Sequence, residues 1–250
     1  GQTKKVRVYV KQLKRYLDIS LHCPKPGRFA LLARDITEEK EHAILVERLA
    51  YYDSLTGLPN RVRFLKTLHD SIESEDATGA LLYIDLDDLK MVNDSYGHSY
   101  GDALIITAAM HIVSISNEGS TVARIGGDEF VMLLPGLTDL KQVEKVAHEV
   151  VEILSREYEV YELKIHASAS VGIVMYPEDG ANANDILKNA DTALHEAKRG
   201  GKRCWRLFKP AMQELAYENM VLSNGLRNAV VNGELALHFQ PQVLLSNYHV

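Results

Sequence analysis

At 250 residues, 46% hydrophobic and 25% charged, the chain has the make-up of a soluble globular protein with room for one full domain and pieces of others. A net charge of −6 and a pI near 5.9 argue against a nucleic-acid polymer as partner, since phosphate-backbone binding needs a basic face, and leave open a nucleotide held through a metal. Cys23 and Cys204 match no zinc or redox spacing, which implies free thiols in a reducing compartment.

Residues 1–36 alternate as strands in VRVYV and RFALLARDI, separated by a loop at CPKPG. Two or three strands make no stable sheet alone, so this reads as the end of a domain. The opening GQTKKVRVYV lacks a signal-peptide core, and the apolar runs are strand-length or interrupted. The segment is therefore expected to be cytoplasmic and without membrane contact, any membrane anchor of a longer parent lying outside it.

From Thr37 the pattern turns helical. Thr37 is a fair N-cap, Glu38 and Glu39 suit a first turn, and His42, Leu45, Leu49 and Tyr52 form one stripe. That stripe suits either a coiled-coil seam between two chains or an amphipathic helix lying on its own domain.

Between Asp53 and about Leu207, strands alternate irregularly with helices. ALLYIDL, the pair VARI and FVMLL, and HASASVGIVMY read as strands. GDALIITAAMHIVSIS, with Leu104, Ile105, Ala108, Ile112 and Ile115 on one face, reads as a helix beginning near Asp102. DLKQVEKVAHEVVEILSREY and NDILKNADTALHEAKRGG read as two more, the last stopped by Gly200 and Gly201. After Pro210 a further helix leads to ELALHFQPQV, the opening strand of another domain. The alternation argues for an α+β or α/β domain, an α/β-type sandwich, of ordinary size.

Two glycines and two carboxylates sit between the apolar runs of ARIGGDEFVMLL. Gly126 and Gly127 allow positive φ in the turn and backbone contact with a ligand, making the turn a docking floor. Asp85 breaks the buried run LLYIDL. If its strand neighbours the hairpin, a spacing of about 4.8 Å brings Asp85 and Asp128 close enough to share a hard cation. Magnesium is the natural occupant, since no His or Cys cluster offers softer ligands. Such a metal beside a glycine floor suggests phosphoryl or nucleotidyl transfer, with Lys90, Lys198 and Lys202 as candidates to offset phosphate charge. Taken alone, a lysine at a helix C-terminus is more often a solvated charge.

YYDSLTGLPNR (51–61), YIDLDDLKMVNDSYGHSYGD (83–102), ARIGGDEF (123–130), SVGIVMYPEDG (170–180) and ADTALHEAKRGGKR (190–203) together resemble the GGDEF diguanylate cyclase family, in family order. The strand ending in ARDITEEKE is similar to the exit of a PAS sensor domain, and LRNAVVNGELALHFQPQV resembles the entry of an EAL phosphodiesterase domain. The resemblance implies a PAS–GGDEF–EAL parent divided as 1–36 PAS remnant, 37–52 signalling helix, 53–208 GGDEF domain, and 209–250 linker helix and EAL start. It also implies a nucleotidyl-cyclase-like fold with a central, mostly antiparallel sheet flanked by helices.

The implied reaction condenses two GTP into cyclic di-GMP and two pyrophosphates, in a homodimer whose sites face each other and with Mg²⁺, or Mn²⁺ in its place, as cofactor. By the same resemblance Asp85, Asp128 and the Leu86 carbonyl match metal ligands, and Asp128 also matches the general base. Glu129 matches the second essential acid, and Lys90 the lysine that stabilises phosphate charge. Asn93, His98 and Asp102 match the guanine site, whose donors and acceptors suit a purine edge. Lys198 and Lys202 match triphosphate contacts. Each has a plainer competitor: Asp102 as a helix start, Asn93 and Asp94 as turn residues, His98 as a satisfied turn histidine. Asp53 and Asn60 read as turn residues, and Arg124 as a tie for the hairpin.

Asp88 and Leu89 stand where glycine and phenylalanine are common, and Lys202 where arginine is common, losing bidentate geometry. The family's product-binding Arg-x-x-Asp position reads Asn117 to Ser120, NEGS, so neither charged partner is present. The alternative function is a GTP-binding regulatory domain without turnover for an attached EAL domain, and a weaker one is an inactive dimerisation scaffold. No phosphodiesterase activity is expected from residues 209–250, where Gln240 alone matches a nucleotide contact.

Overall fold

A computed structural model describes residues 3–25, 28–74, 77–236 and 238. Gln240 and most of the expected strand ELALHFQPQV, beyond Ala236 and apart from His238, lie outside these residues.

The chain opens with an antiparallel meander, β1 (Thr3–Val10), β2 (Arg15–Lys25) and β3 (Arg28–Asp35). The sequence reading foresaw the outer two strands; β2, with Leu17, Ile19 and Leu21 alternating with Asp18, Ser20 and His22, is the third. Helix α1 (Thr37–Tyr51) follows. Thr37 is not its N-cap. That position is Ile36, while Thr37 gives its N–H and hydroxyl to Asp35 Oδ1 and accepts from Tyr16 N–H, riveting the helix start to β2 and β3. No residue of α1 is buried, so Leu45 and Leu49 are not covered by the chain's own domain.

The main domain runs through α2 (Arg61–Ile72), β4 (Gly79–Asp87), α3 (Leu89–Tyr96), α4 (His98–Ile115), β5 (Thr121–Gly126), β6 (Glu129–Pro135), α5 (Leu140–Leu154), β7 (Glu157–Val160), β8 (Leu163–His166), β9 (Ser168–Tyr176), α6 (Ala183–Arg199) and β10 (Trp205–Leu207). Helix α7 (Pro210–Val231) follows. The five-stranded sheet has the order β10-β9-β4-β6-β5. Only β10 and β9 run parallel, so the sheet is mostly antiparallel, as expected. β7 and β8 form a separate ribbon.

Every residue of the central strand β4 is buried, and its period of two divides the core. Ala80, Leu82, Ile84 and Leu86 pack with Leu104, Ile105, Ala108 and Ile112 of α4 and with Val143 and Val150 of α5. Leu81 and Tyr83 face the other way, onto Phe64 and Leu68 of α2 and Ile186, Ala190 and Leu194 of α6. Phe64 and Leu68, one turn apart and fully shielded, each stabilise the fold by about 2–3 kcal/mol. Asp85 and Asp87 continue the second face to the strand's end. The same alternation that fills the core therefore delivers two carboxylates to the edge of α6.

Two expectations shift here. α4 starts at His98, four residues before Asp102, because the chain leaves α3 through Gly97 at φ 91° and re-enters helix at once. Asn93 and Asp94 lie within α3 and are not turn residues; that short helix is held by burial of Leu89 and Val92.

Candidate active site

β4 and the β5–β6 hairpin neighbour each other in the sheet. Asp85 stands opposite Glu129 in the register, and the Leu86 N–H donates to the Asp128 carbonyl at 3.2 Å. Asp85, Asp128 and Glu129 therefore converge at one end of the sheet. In the turn only Gly127 has positive φ, at 44°; Gly126, expected to share that conformation, ends β5 in a bulge instead. Neither glycine has a heavy atom within 4 Å of where a Cβ would stand, so the turn is an open floor.

Arg124 fixes the hairpin. Its Nε and Nη2 donate to the Gly127 carbonyl at 3.1 and 2.7 Å, and Nη1 donates to Asp53 Oδ1 at 2.9 Å. Asp53 also accepts the N–H and hydroxyl of Thr56, and Asn60 caps α2 by accepting from Arg63 N–H. All three residues play the structural parts their sequence context suggests. Tyr83 donates to Glu129 Oε2 at 3.2 Å, and burial, followed by the charges of Glu129 and Asp191, raises the phenol's pKa.

Asp85 is 4% exposed and pairs with Lys198 Nζ at 2.8 Å. Burial pushes its pKa up to about 6; the Lys198 hydrogen bond opposes this, while Asp128 and Glu129 add to it. The site thus already holds one positive charge against a carboxylate that its surroundings disfavour as an anion. Among the described residues no group of three or more His, Cys, Asp or Glu side chains is placed to hold a metal. Two carboxylates nevertheless suit Mg²⁺, which keeps several waters and shares phosphate oxygens.

Lys202 Nζ pairs with Asp88 Oδ1 at 2.6 Å, so both triphosphate candidates lie over the end of β4 and are held there by acids. Lys90 is exposed in the first turn of α3. His98 and Asp102 are exposed on the first turns of α4. Asp102 lies four residues into its helix, so it does not serve as the helix start.

Asn93 is half-buried where α3 crosses α4. A Cβ on Gly101 would collide with its amide, so glycine there is what lets the two helices close around it. Asn93 Oδ1 is buried against Gly101 without a hydrogen-bond partner among the described residues.

Sequence reasoning missed Tyr83 and Asp87. The second acid of DLDD and the serines of SASV were the available signal for Asp87, which accepts from Ser168 Oγ, Ser170 Oγ and Arg203 N–H. Among the described residues no helix is long and apolar enough to cross a membrane.

The chain is 36% identical over 210 residues to the cyclic di-GMP phosphodiesterase PdeR of Escherichia coli, covering 84% of this chain and 32% of that protein. It is 36% identical over 224 residues to the bifunctional diguanylate cyclase/cyclic di-GMP phosphodiesterase MucR of Pseudomonas aeruginosa, covering 88% and 32%. It thus spans about a third of the length of these curated relatives. Among solved structures, the GGDEF domain of TpbB (YfiN) from Pseudomonas aeruginosa matches with a TM-score of 0.64 and 32% identity, over 67% of this chain and 99% of that one. The coiled coil and GGDEF domain of DgcB from Caulobacter crescentus, solved with c-di-GMP, matches with a TM-score of 0.61 and 29% identity, over 69% and 92%. The family profile described as diguanylate cyclase, GGDEF domain matches residues 50–204, and the chain belongs to that family.

Proposed function

We propose that this domain is an active diguanylate cyclase, joining two GTP into cyclic di-GMP with release of two pyrophosphates. The observation that carries the reading is the convergence of Asp85 with Asp128 and Glu129 beside an open glycine turn. Asp85, Asp128 and the Leu86 carbonyl would hold Mg²⁺, with Mn²⁺ as substitute. When bound, the ion polarises the α-phosphate and lowers the pKa of the attacking 3′-hydroxyl.

Asp128 accepts the proton of that hydroxyl, and Glu129, oriented by Tyr83, is the second acid. Lys90, Lys198 and Lys202 neutralise the triphosphate, the last two exchanging carboxylate partners for phosphate oxygens. Asn93 and Asp102 read the guanine edge, and His98 lines the same pocket. Each 3′-hydroxyl attacks the other nucleotide, so turnover needs a homodimer, which the uncovered Leu45–Leu49 stripe of α1 supports.

In the same proposal residues 1–36 are the end of a PAS domain and residues 209–250 the linker and start of an EAL domain. The segment works in the cytoplasm, without membrane contact or nucleic-acid polymer.

The Lys198–Asp85 ion pair, which fills the cation position with an ammonium, favours a second reading as a GTP-binding regulator of the EAL domain. Asp128→Asn separates the two. On the cyclase reading it abolishes cyclic di-GMP formation that the parent chain displays while GTP still binds; a parent chain that binds GTP and makes no product supports the regulator.

A further inference from the structure

The two acids of Asp85-Leu86-Asp87 lie on one face of β4, and the pattern invites treating both as metal ligands. We propose instead that Asp87 is a positioning residue that locks the loop carrying Lys202 into its phosphate-facing shape. The inference rests on the reading of Lys198 and Lys202 as triphosphate contacts.

Asp87 is 6% exposed, and its carboxylate is already engaged from two elements. Oδ1 accepts from Ser170 Oγ at 2.8 Å, and Oδ2 accepts from Ser168 Oγ at 2.6 Å and from Arg203 N–H at 3.2 Å. The serines lie on the neighbouring strand in register, Ser168 opposite Asp87 and Ser170 opposite Asp85, so they fix the carboxylate against the sheet. Held there, it grips the loop behind α6.

That loop needs gripping. Gly201, Lys202 and Arg203 run consecutively through left-handed backbone, with φ of 115°, 62° and 49°, a conformation unfavourable for two long side chains. Its three N–H groups are all engaged: Gly201 to the Lys198 carbonyl at 3.4 Å, Lys202 to the Ala197 carbonyl at 3.2 Å, and Arg203 to Asp87, the one bond that ties the loop to the sheet. Between these anchors, the Lys202 side chain reaches back over β4 to Asp88, beside Lys198 on Asp85. Without the Asp87 anchor the loop is free to relax toward ordinary φ and carry the Lys202 ammonium away from the strand's end.

The test is calorimetric titration of the full chain with an α,β-methylene analogue of GTP and, separately, with GMP. Asp87→Ala, which removes the acceptor of the Arg203 N–H outright, should weaken the analogue about tenfold and leave GMP within about twofold. Lys202→Ala should do the same, and the double variant should be no weaker than Lys202→Ala alone, because both changes remove one contact. Equal losses for both nucleotides, unchanged analogue binding, or independent losses multiplying to about a hundredfold would overturn the proposal. If Asp87→Ala does not fold, Ser168→Ala removes one donor only and should weaken the analogue two- to threefold, roughly, with GMP unchanged; no loss, or equal loss for both, overturns it. A parent chain that binds the analogue no better than GMP refutes the triphosphate reading itself, and this proposal falls with it.

Discussion

Replacing Arg124 by alanine tests how the Gly126–Glu129 hairpin is held. The guanidinium is 11% exposed and its partner Asp53 21%, so the pair is shielded well enough for its energy not to be lost to solvent. Losing the charge-assisted bond to Asp53 and the fork on the Gly127 carbonyl removes roughly 2–3 kcal/mol. Asp53 keeps both Thr56 donors, and Gly127 is exposed to water, so the lower end, about 2 kcal/mol, is expected. For a domain of this size that lowers the melting temperature by about 4–8 °C.

The pH dependence has a definite sign. Burial raises the Asp53 pKa, but the Thr56 hydroxyl and N–H and then Arg124 outweigh it, leaving the carboxyl below its ordinary value. Stability from this group is therefore present at neutral pH and lost as pH falls through that lowered value. The gap between parent and Arg124→Ala should narrow below about pH 4, where the Asp53 pair is lost and only the fork on the Gly127 carbonyl remains. Arg124→Lys, which keeps charge without the fork, should fall between the two. Thermal melts across pH decide it: a neutral-pH difference below about 0.5 kcal/mol, or a gap that widens in acid, would refute the reasoning.

Asp85, with a pKa raised to about 6, favours its protonated form in the folded chain, so its contribution to metal-free stability declines as pH rises from about 4 to 6. Mn²⁺ affinity should rise about tenfold per pH unit toward 6 and then flatten, and Lys198→Met should move the break upward; a flat profile from pH 5 to 7 would contradict this. Asp102→Ala should cost GTP about 1–3 kcal/mol of binding and ATP much less, as competitive titration would show; equal losses would remove Asp102 from the guanine site. Asn117 is exposed in the turn after α4 and Ser120 returns its hydroxyl to the Asn117 carbonyl, so no charged fork awaits the product. Titration with cyclic di-GMP should show no inhibitory dimer bound there; micromolar binding with falling turnover would refute it.

What the sequence revealed follows the range of its physical signals. The buried run of β4, the two strands around Gly126-Gly127 and the stripes of α5 and α6 are local patterns and were legible. α3 was not: Asn93, Asp94 and Ser95 are poor helix formers, and tertiary burial of Leu89 and Val92 overrides them. The start of α4 lacks a side-chain cap, and the β7–β8 ribbon has strands of four residues, too short to establish a period. α2 did carry a signal, Asn60 capping a turn that leads to Phe64 and Leu68, but the Gly-Leu-Pro context masked it.

In the site, Asp85, Asp128 and Lys198 stood out as residue types at particular strand and helix ends. Their supports did not, because Tyr83–Glu129, Arg124–Asp53 and Asp87–Arg203 join positions 46, 71 and 116 apart in sequence. Only the order of strands in the sheet brings those partners together.

The most direct measurement incubates the chain with GTP and Mg²⁺, separates the products and follows cyclic di-GMP against protein concentration. The account predicts cyclic di-GMP and pyrophosphate, at a rate per chain that rises with concentration as the facing sites of the dimer assemble. GTP bound by concentrated, dimeric protein and recovered unchanged would contradict it.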